Sequence, residues 1–120
     1  PAMNLLDVER VDGNLQLAGT DVPLPDDVYA AVRAQSGPDF AVGVRPEHLG
    51  LSDTGISGEV SVVEELGSES FVHVRVKHQG DDAVFVVRED GQTAVGRGDN
   101  VHLSIVGAVH VFGDDGERIG

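Results

Sequence analysis

From Ile56 onward the chain repeats one pattern: a short run with valine or another apolar residue at every second position, followed by glycine and acidic residues that turn it. Side chains on a strand point alternately to its two faces, so this spacing predicts strands, and turns about every ten residues leave little room for helices. The clearest run is Phe71-Val72-His73-Val74-Arg75-Val76-Lys77, where the three valines share one face and Phe71, His73, Arg75 and Lys77 share the other. One face is expected to be core and the other wet. In the run ending at Glu64-Glu65-Leu66-Gly67, Val60 and Val62 are placed on one face, and the doubled Val62-Val63 suggests a bulge or strand end. Residues 83–88 are apolar on both faces, which predicts a central strand. Val101, Leu103 and Ile105 form another inward row, Val109-His110-Val111-Phe112 closes the series, and a turn follows at Gly113-Asp114-Asp115-Gly116. The expectation is a mainly β small barrel or sandwich. Burying each valine contributes about 1.5–2 kcal/mol, enough for such a core to form without disulfides.

Upstream, residues 3–11 alternate, Asp12-Gly13-Asn14 tolerates positive φ, and Leu15-Gln16-Leu17 resumes the alternation, which reads as a hairpin. Val22-Pro23-Leu24-Pro25 is extended but too rich in proline for a central strand. Asp26 is a candidate N-cap for the only helix expected, in which Val28, Ala31 and Val32 share a face and Arg33 lies late; Ser36-Gly37-Pro38 stops it.

Residues 41–50, Ala-Val-Gly-Val-Arg-Pro-Glu-His-Leu-Gly, join a strand to a proline-locked turn. Pro46 has no backbone donor and biases Arg45 toward an extended conformation, so the strand should end at Arg45. Pro46 then opens one helical turn, Glu47 sits where the positive end of that turn favours a carboxylate, and Gly50 can close it. Arg45, Glu47 and His48 are expected to project from one rigid corner.

The chain has 120 residues, which fits one domain, and its 21 acidic against 8 basic residues give a formal net charge of −13. Such a charge repels phosphate backbones and anionic membrane surfaces. With no cysteine there is neither a disulfide framework nor thiolate chemistry. No apolar run is long enough to span a bilayer, and there is no signal-peptide pattern. The start at Pro1-Ala2-Met3-Asn4 reads as the middle of a polypeptide, so an excised fragment is expected.

Motifs for catalysis are not found. There is no phosphate loop, the sole lysine is Lys77, and no Gly-x-Ser-x-Gly elbow occurs. His48, His73, His78, His102 and His110 lack the spacing of a zinc helix and read as surface or strand-face histidines. Asp81-Asp82 and Asp114-Asp115 do not match a calcium loop and read as solvated turn carboxylates. Glu64 and Glu65, adjacent on a strand, point to opposite faces and are no acid/base pair. No catalytic, cofactor-binding or metal-binding residue is assigned.

Taken in order, several segments resemble one family. Val42-Gly43-Val44-Arg45-Pro46-Glu47-His48-Leu49 is similar to its Gly-Ile/Val-Arg-Pro-Glu-His segment, residues 58–69 resemble its next strand and turn, and residues 109–112 resemble its closing strand. Pro1-Ala2-Met3-Asn4 looks like the junction after its nucleotide-binding domain. That family is the C-terminal regulatory region of carbohydrate-uptake ABC importer ATPases, like the maltose and glycerol-3-phosphate importer subunits. One departure is that Gly113 intervenes between Phe112 and Asp114, where the family has Asp directly after the Phe.

The resemblance implies an OB-fold-like barrel of the transport-associated (MOP/TOBE) kind with one short helix. Residues 1–39 would form the hairpin and helix portion of a single regulatory domain, and residues 40–120 its main β portion. It further implies that this region does not hydrolyse ATP and that ATP and Mg belong to a nucleotide-binding domain attached to it. Other implied partners are the homodimer subunit, permease subunits at the cytoplasmic face of the membrane, and a regulatory protein or small-molecule effector. Candidate regulatory or contact residues are Arg45, Pro46, Glu47, His48, Glu64 and Gly67. The barrel alone also fits two other readings. A nucleic-acid-binding OB-fold needs a basic groove and stacking aromatics, which this charge and Tyr29 with four phenylalanines do not supply. An oxyanion or small-molecule sensor would rely on backbone donors that override the net charge.

Overall fold

The computed structural model describes residues 3–11, 14–17, 20–21, 30, 40–78 and 81–112. Among the described residues ten strands follow in order: β1 (Asn4–Val11), β2 (Asn14–Leu17), β3 (Thr20–Asp21), β4 (Phe40–Val44), β5 (Leu49–Ser52), β6 (Ile56–Glu65), β7 (Glu69–His78), β8 (Asp81–Asp90), β9 (Asn100–Ile105) and β10 (Val109–Phe112). The 3-10 turn Pro46–His48 separates β4 from β5. The mainly β expectation holds. The expected helix and the proline-rich segment before it lie outside the described residues except for Ala30, which is helical; the turn after Phe112 lies outside them as well.

The strands form two five-stranded sheets, ordered β10-β4-β1-β2-β3 and β5-β9-β6-β7-β8. All pairings are antiparallel. The predicted hairpin is present as β1 and β2, with Val11 opposite Asn14. In the second sheet, β5 and the 3-10 turn pack against β8 at the opposite edge. The sheet therefore rolls toward a barrel without strand pairing to close it, which gives an OB-like but open architecture.

The core lies between the inward faces. Val72, Val74 and Val76 of β7 are buried as their alternation predicts, beside Val60, Phe85, Val87, Leu103 and, from the first sheet, Val42, Val44 and Val109. Two expectations need correction. Val60 and Val62 do not share a face: a bulge between them puts one extra residue, Ser61, into β6, so Val60 is buried, Val62 is half exposed, and Val63 packs on the core. The Ser61 hydroxyl donates to the His73 carbonyl at 3.2 Å across the bulge.

The second correction concerns β8, which is an edge strand rather than a central one. Its outer edge is partly covered by Asn4 of β1. The Asn4 amide donates through Nδ2 to the Val86 carbonyl at 2.8 Å and accepts the Val86 N–H on Oδ1 at 2.9 Å. A side-chain amide thus stands where a neighbouring strand's peptide group would be, and this ties the two sheets together. Asn4 is one of two buried polar side chains among the described residues; the other, Ser70, donates to the Gly91 carbonyl at 2.6 Å.

Candidate functional site: the corner after strand four and the outer face of the second sheet

The corner forms as its residue types dictate. Arg45 is extended (φ −70°, ψ 152°), Pro46 opens the turn, and the His48 N–H donates to the Arg45 carbonyl at 2.9 Å. Leu49 is already extended (φ −102°, ψ 142°), so the turn ends one residue earlier than expected, and Gly50 belongs to β5 opposite Ser104.

The side chains of the corner part company. Arg45 and Glu47 are exposed, Pro46 is buried, and His48 is half buried. The Arg45 side chain makes no hydrogen bond or ion pair among the described residues, so its guanidinium is open to a partner. His48 does not project: its ring lies against Gly107, its carbonyl accepts the Val106 N–H at 2.8 Å, and its Nδ1 is enclosed without a hydrogen-bond partner among the described residues. A Cβ added at Gly107 would sit 2.5 Å from His48 Cδ2, so the missing side chain at position 107 is what admits the imidazole.

Glu47 faces a charged row on the outer side of the second sheet. The 3-10 turn packs on β8, and Glu47 acts through space on Arg88. Arg88 Nε donates to Glu69 Oε2 at 2.6 Å, and its Nη1 donates to Asp90 Oδ1 at 3.2 Å. These carboxylates hold the guanidinium pKa above its ordinary value, chiefly through the hydrogen bond to Glu69, against a smaller opposing effect of desolvation. Phe71 pairs with Arg88 on one side and Glu64 on the other, which places Glu64 farther along the same row. There His73 Nε2 donates to Glu64 Oε1 at 2.7 Å.

Gly67 lies in the turn leading to Glu69, with φ +86° and no atom near enough to meet an added Cβ. Backbone conformation, not space, is what favours glycine there. The Leu66 N–H donates to the Glu69 carbonyl at 2.8 Å and closes this turn.

The outer face thus brings Glu47 and the Gly67 turn toward Arg88 and Glu69, holds Glu64 on His73 farther along the row, leaves Arg45 at the border, and turns His48 inward. Sequence reasoning missed Arg88, Glu69 and Asn4. Arg88 needed cross-strand register to be found. Asn4 carried a readable signal, since it is polar at the same parity as Leu6 and Val8.

Among the described residues no group of three His, Cys, Asp or Glu side chains is placed to hold a metal ion, and no helix is long and apolar enough to cross a membrane. Fold and surface together define a class: an OB-like β module that presents a mixed-charge outer face beside a rigid proline corner. A model described as the TOBE domain matches residues 42–112, and one described as the MalK OB fold domain matches residues 1–49. The chain belongs to the TOBE domain family.

Among similar proteins, the diacetylchitobiose uptake system ATP-binding protein MsiK of Streptomyces coelicolor is 30% identical over 99% of this chain and 36% of its own length. The sn-glycerol-3-phosphate import ATP-binding protein UgpC of Cereibacter sphaeroides is 32% identical over 99% of this chain and 32% of its own. The maltose/maltodextrin import ATP-binding protein MalK of Escherichia coli K12 is 31% identical over 78% of this chain and 29% of its own. The chain therefore spans about a third of the length of the curated relatives it matches.

Proposed function

We propose that this chain is the C-terminal regulatory region of the ATP-binding subunit of an ABC importer for sugars or sugar phosphates. The observation that supports this reading best is similarity through 99% of the chain to two importer ATP-binding proteins, MsiK and UgpC. ATP and Mg would be bound and hydrolysed in a nucleotide-binding domain of the same polypeptide, with this region non-catalytic. The subunit would dimerise and sit at the cytoplasmic face of the membrane on permease subunits.

In this role the region biases the arrangement of the ATPase domains. An effector or neighbouring subunit can do so only by binding one arrangement better than another, and a tenfold shift needs about 1.4 kcal/mol of differential affinity. Arg45, exposed and without a partner among the described residues on a corner fixed by Pro46, is suited to such a contact. A charge-assisted hydrogen bond from it would contribute about 1.5–3 kcal/mol.

The test is Arg45→Ala in the full-length subunit. Regulation of transport is expected to change by more than basal ATP hydrolysis of the isolated subunit. Equal loss of both would show a folding or docking defect and overturn the regulatory assignment of this corner.

A further inference from the structure

The end of the outer face away from the corner holds a groove with charged residues along it. It has a volume of about 660 Å³ and lies across β6, β7, β8 and β9, lined chiefly by Glu59, Arg75, Lys77, Asp82, Asn100 and His102. Arg75 and Lys77 stand two residues apart on β7, hence on one face and about 7 Å apart along the strand. In a chain of net charge −13 with only eight Lys and Arg, two cations in one groove, set against Glu59 and Asp82, make a locally neutral patch in an acidic surface.

Neither cation is fully engaged. Arg75 Nη1 is 3.8 Å from Glu59 Oε1, too far for a hydrogen bond, and the pair is about half exposed. Lys77 lies opposite Asp82 in the strand register, yet its ammonium makes no hydrogen bond or ion pair among the described residues. Contrast Arg88 on the same face, whose Nε and Nη1 donate to Glu69 and Asp90.

Two open cations at this spacing suit an anion that offers several oxygens and a double negative charge. A single carboxylate would occupy the Arg75 fork and leave Lys77 unused, whereas a phosphate monoester can meet both. The remaining lining is of another kind. Asn100 and His102 from β9, and the Asp82 carboxylate, offer donors and acceptors suited to hydroxyl groups rather than to further charge. The volume falls within the range of about 300–1,000 Å³ typical of small-molecule sites.

We propose that this groove binds the phosphate monoester of a sugar or polyol, with the phosphate on Arg75 and Lys77 and the hydroxyls on Asn100, His102 and Asp82. Glu59 is then the competitor that the phosphate displaces from Arg75. This site is separate from the corner, and its occupancy is read by binding alone, whatever the ATPase does.

The experiment is calorimetry with amide-resolved NMR on the 120-residue chain, titrated with glucose 6-phosphate, inorganic phosphate and glucose. Glucose 6-phosphate is expected to bind and to shift the amides around Arg75, Lys77, Asn100 and His102. Inorganic phosphate should bind the same residues more weakly, and glucose should leave them unmoved at equal concentration. The double variant Arg75→Gln/Lys77→Gln should weaken binding at least about tenfold, the loss of one charge-assisted contact or more, with an unchanged unfolding midpoint. Glu59→Gln should tighten it by freeing the Arg75 fork. Silence toward both phosphates at millimolar concentration would overturn the proposal, as would binding that the double variant does not weaken. Inorganic phosphate binding as tightly as the sugar phosphate would overturn the assignment to a sugar or polyol ester.

Discussion

Asn4 shows how one side chain can take the place of a strand. Both of its polar atoms are matched to Val86, and both lie at a join between sheets that has no backbone ladder. Asn4→Ala would remove two hydrogen bonds and leave the Val86 donor and acceptor without their partners, so a loss of about 2–3 kcal/mol in urea unfolding is expected. A loss near zero would mean that the bridge adds nothing to stability. Gly107 acts by omission. Gly107→Ala would drive a methyl into the His48 ring, and a cost of about 1–3 kcal/mol is expected from the same measurement, as for overpacking elsewhere. The 3-10 turn at Pro46 was legible because proline and its neighbours restrict the backbone locally. The inward turn of His48 was not, since it depends on a glycine nearly sixty residues downstream in sequence.

At the scale of the strand, β6 and β8 show what alternation can and cannot specify. Alternation located the buried valines of β7 because that strand is regular from end to end. It misplaced Val62 because Ser61 inserts one residue and shifts the parity of everything after it. Removing Ser61 alone would restore unbroken alternation, with Val60 and Val63 inward and Glu64 outward. Such a deletion variant is expected to fold with a stability loss of no more than about 1–2 kcal/mol. Removing Ser61 and Val62 together would turn Glu64 toward the core, and that variant should show no cooperative unfolding transition. If both deletions behaved alike, the bulge would not be what sets the register. Strand β8 was misplaced for another reason: apolar residues on both faces report what covers a strand, whereas strand order depends on which backbone edges are paired. Here Asn4, β5 and the 3-10 turn supply the cover. The contact row was likewise only partly legible, since Glu47 and Glu64 stand out in sequence but Arg88 joins them only after β7 and β8 pair.

For the whole molecule, charge sets the environment in which these contacts act. With 21 acidic and 8 basic residues, compaction brings like charges together, and added salt screens that repulsion over a Debye length of about 8–10 Å. The thermal midpoint is therefore expected to rise when sodium chloride is increased from low to physiological concentration. A fall would mean that the ion pairs of Arg88 and Arg75 outweigh the net repulsion. The β class and the run of strands were legible at this scale from spacing alone, but the division into two sheets was not. It arises because β4 takes β1 as one neighbour and β10 as the other. During synthesis, the first sheet consequently has to wait: β1 and β2 emerge early, Val86 is 82 residues behind Asn4, and β10 arrives later still. The first strand of this β module is then among the last of its strands to be fixed, and until β10 has emerged β4 carries an unpaired edge on which another nascent chain could pair.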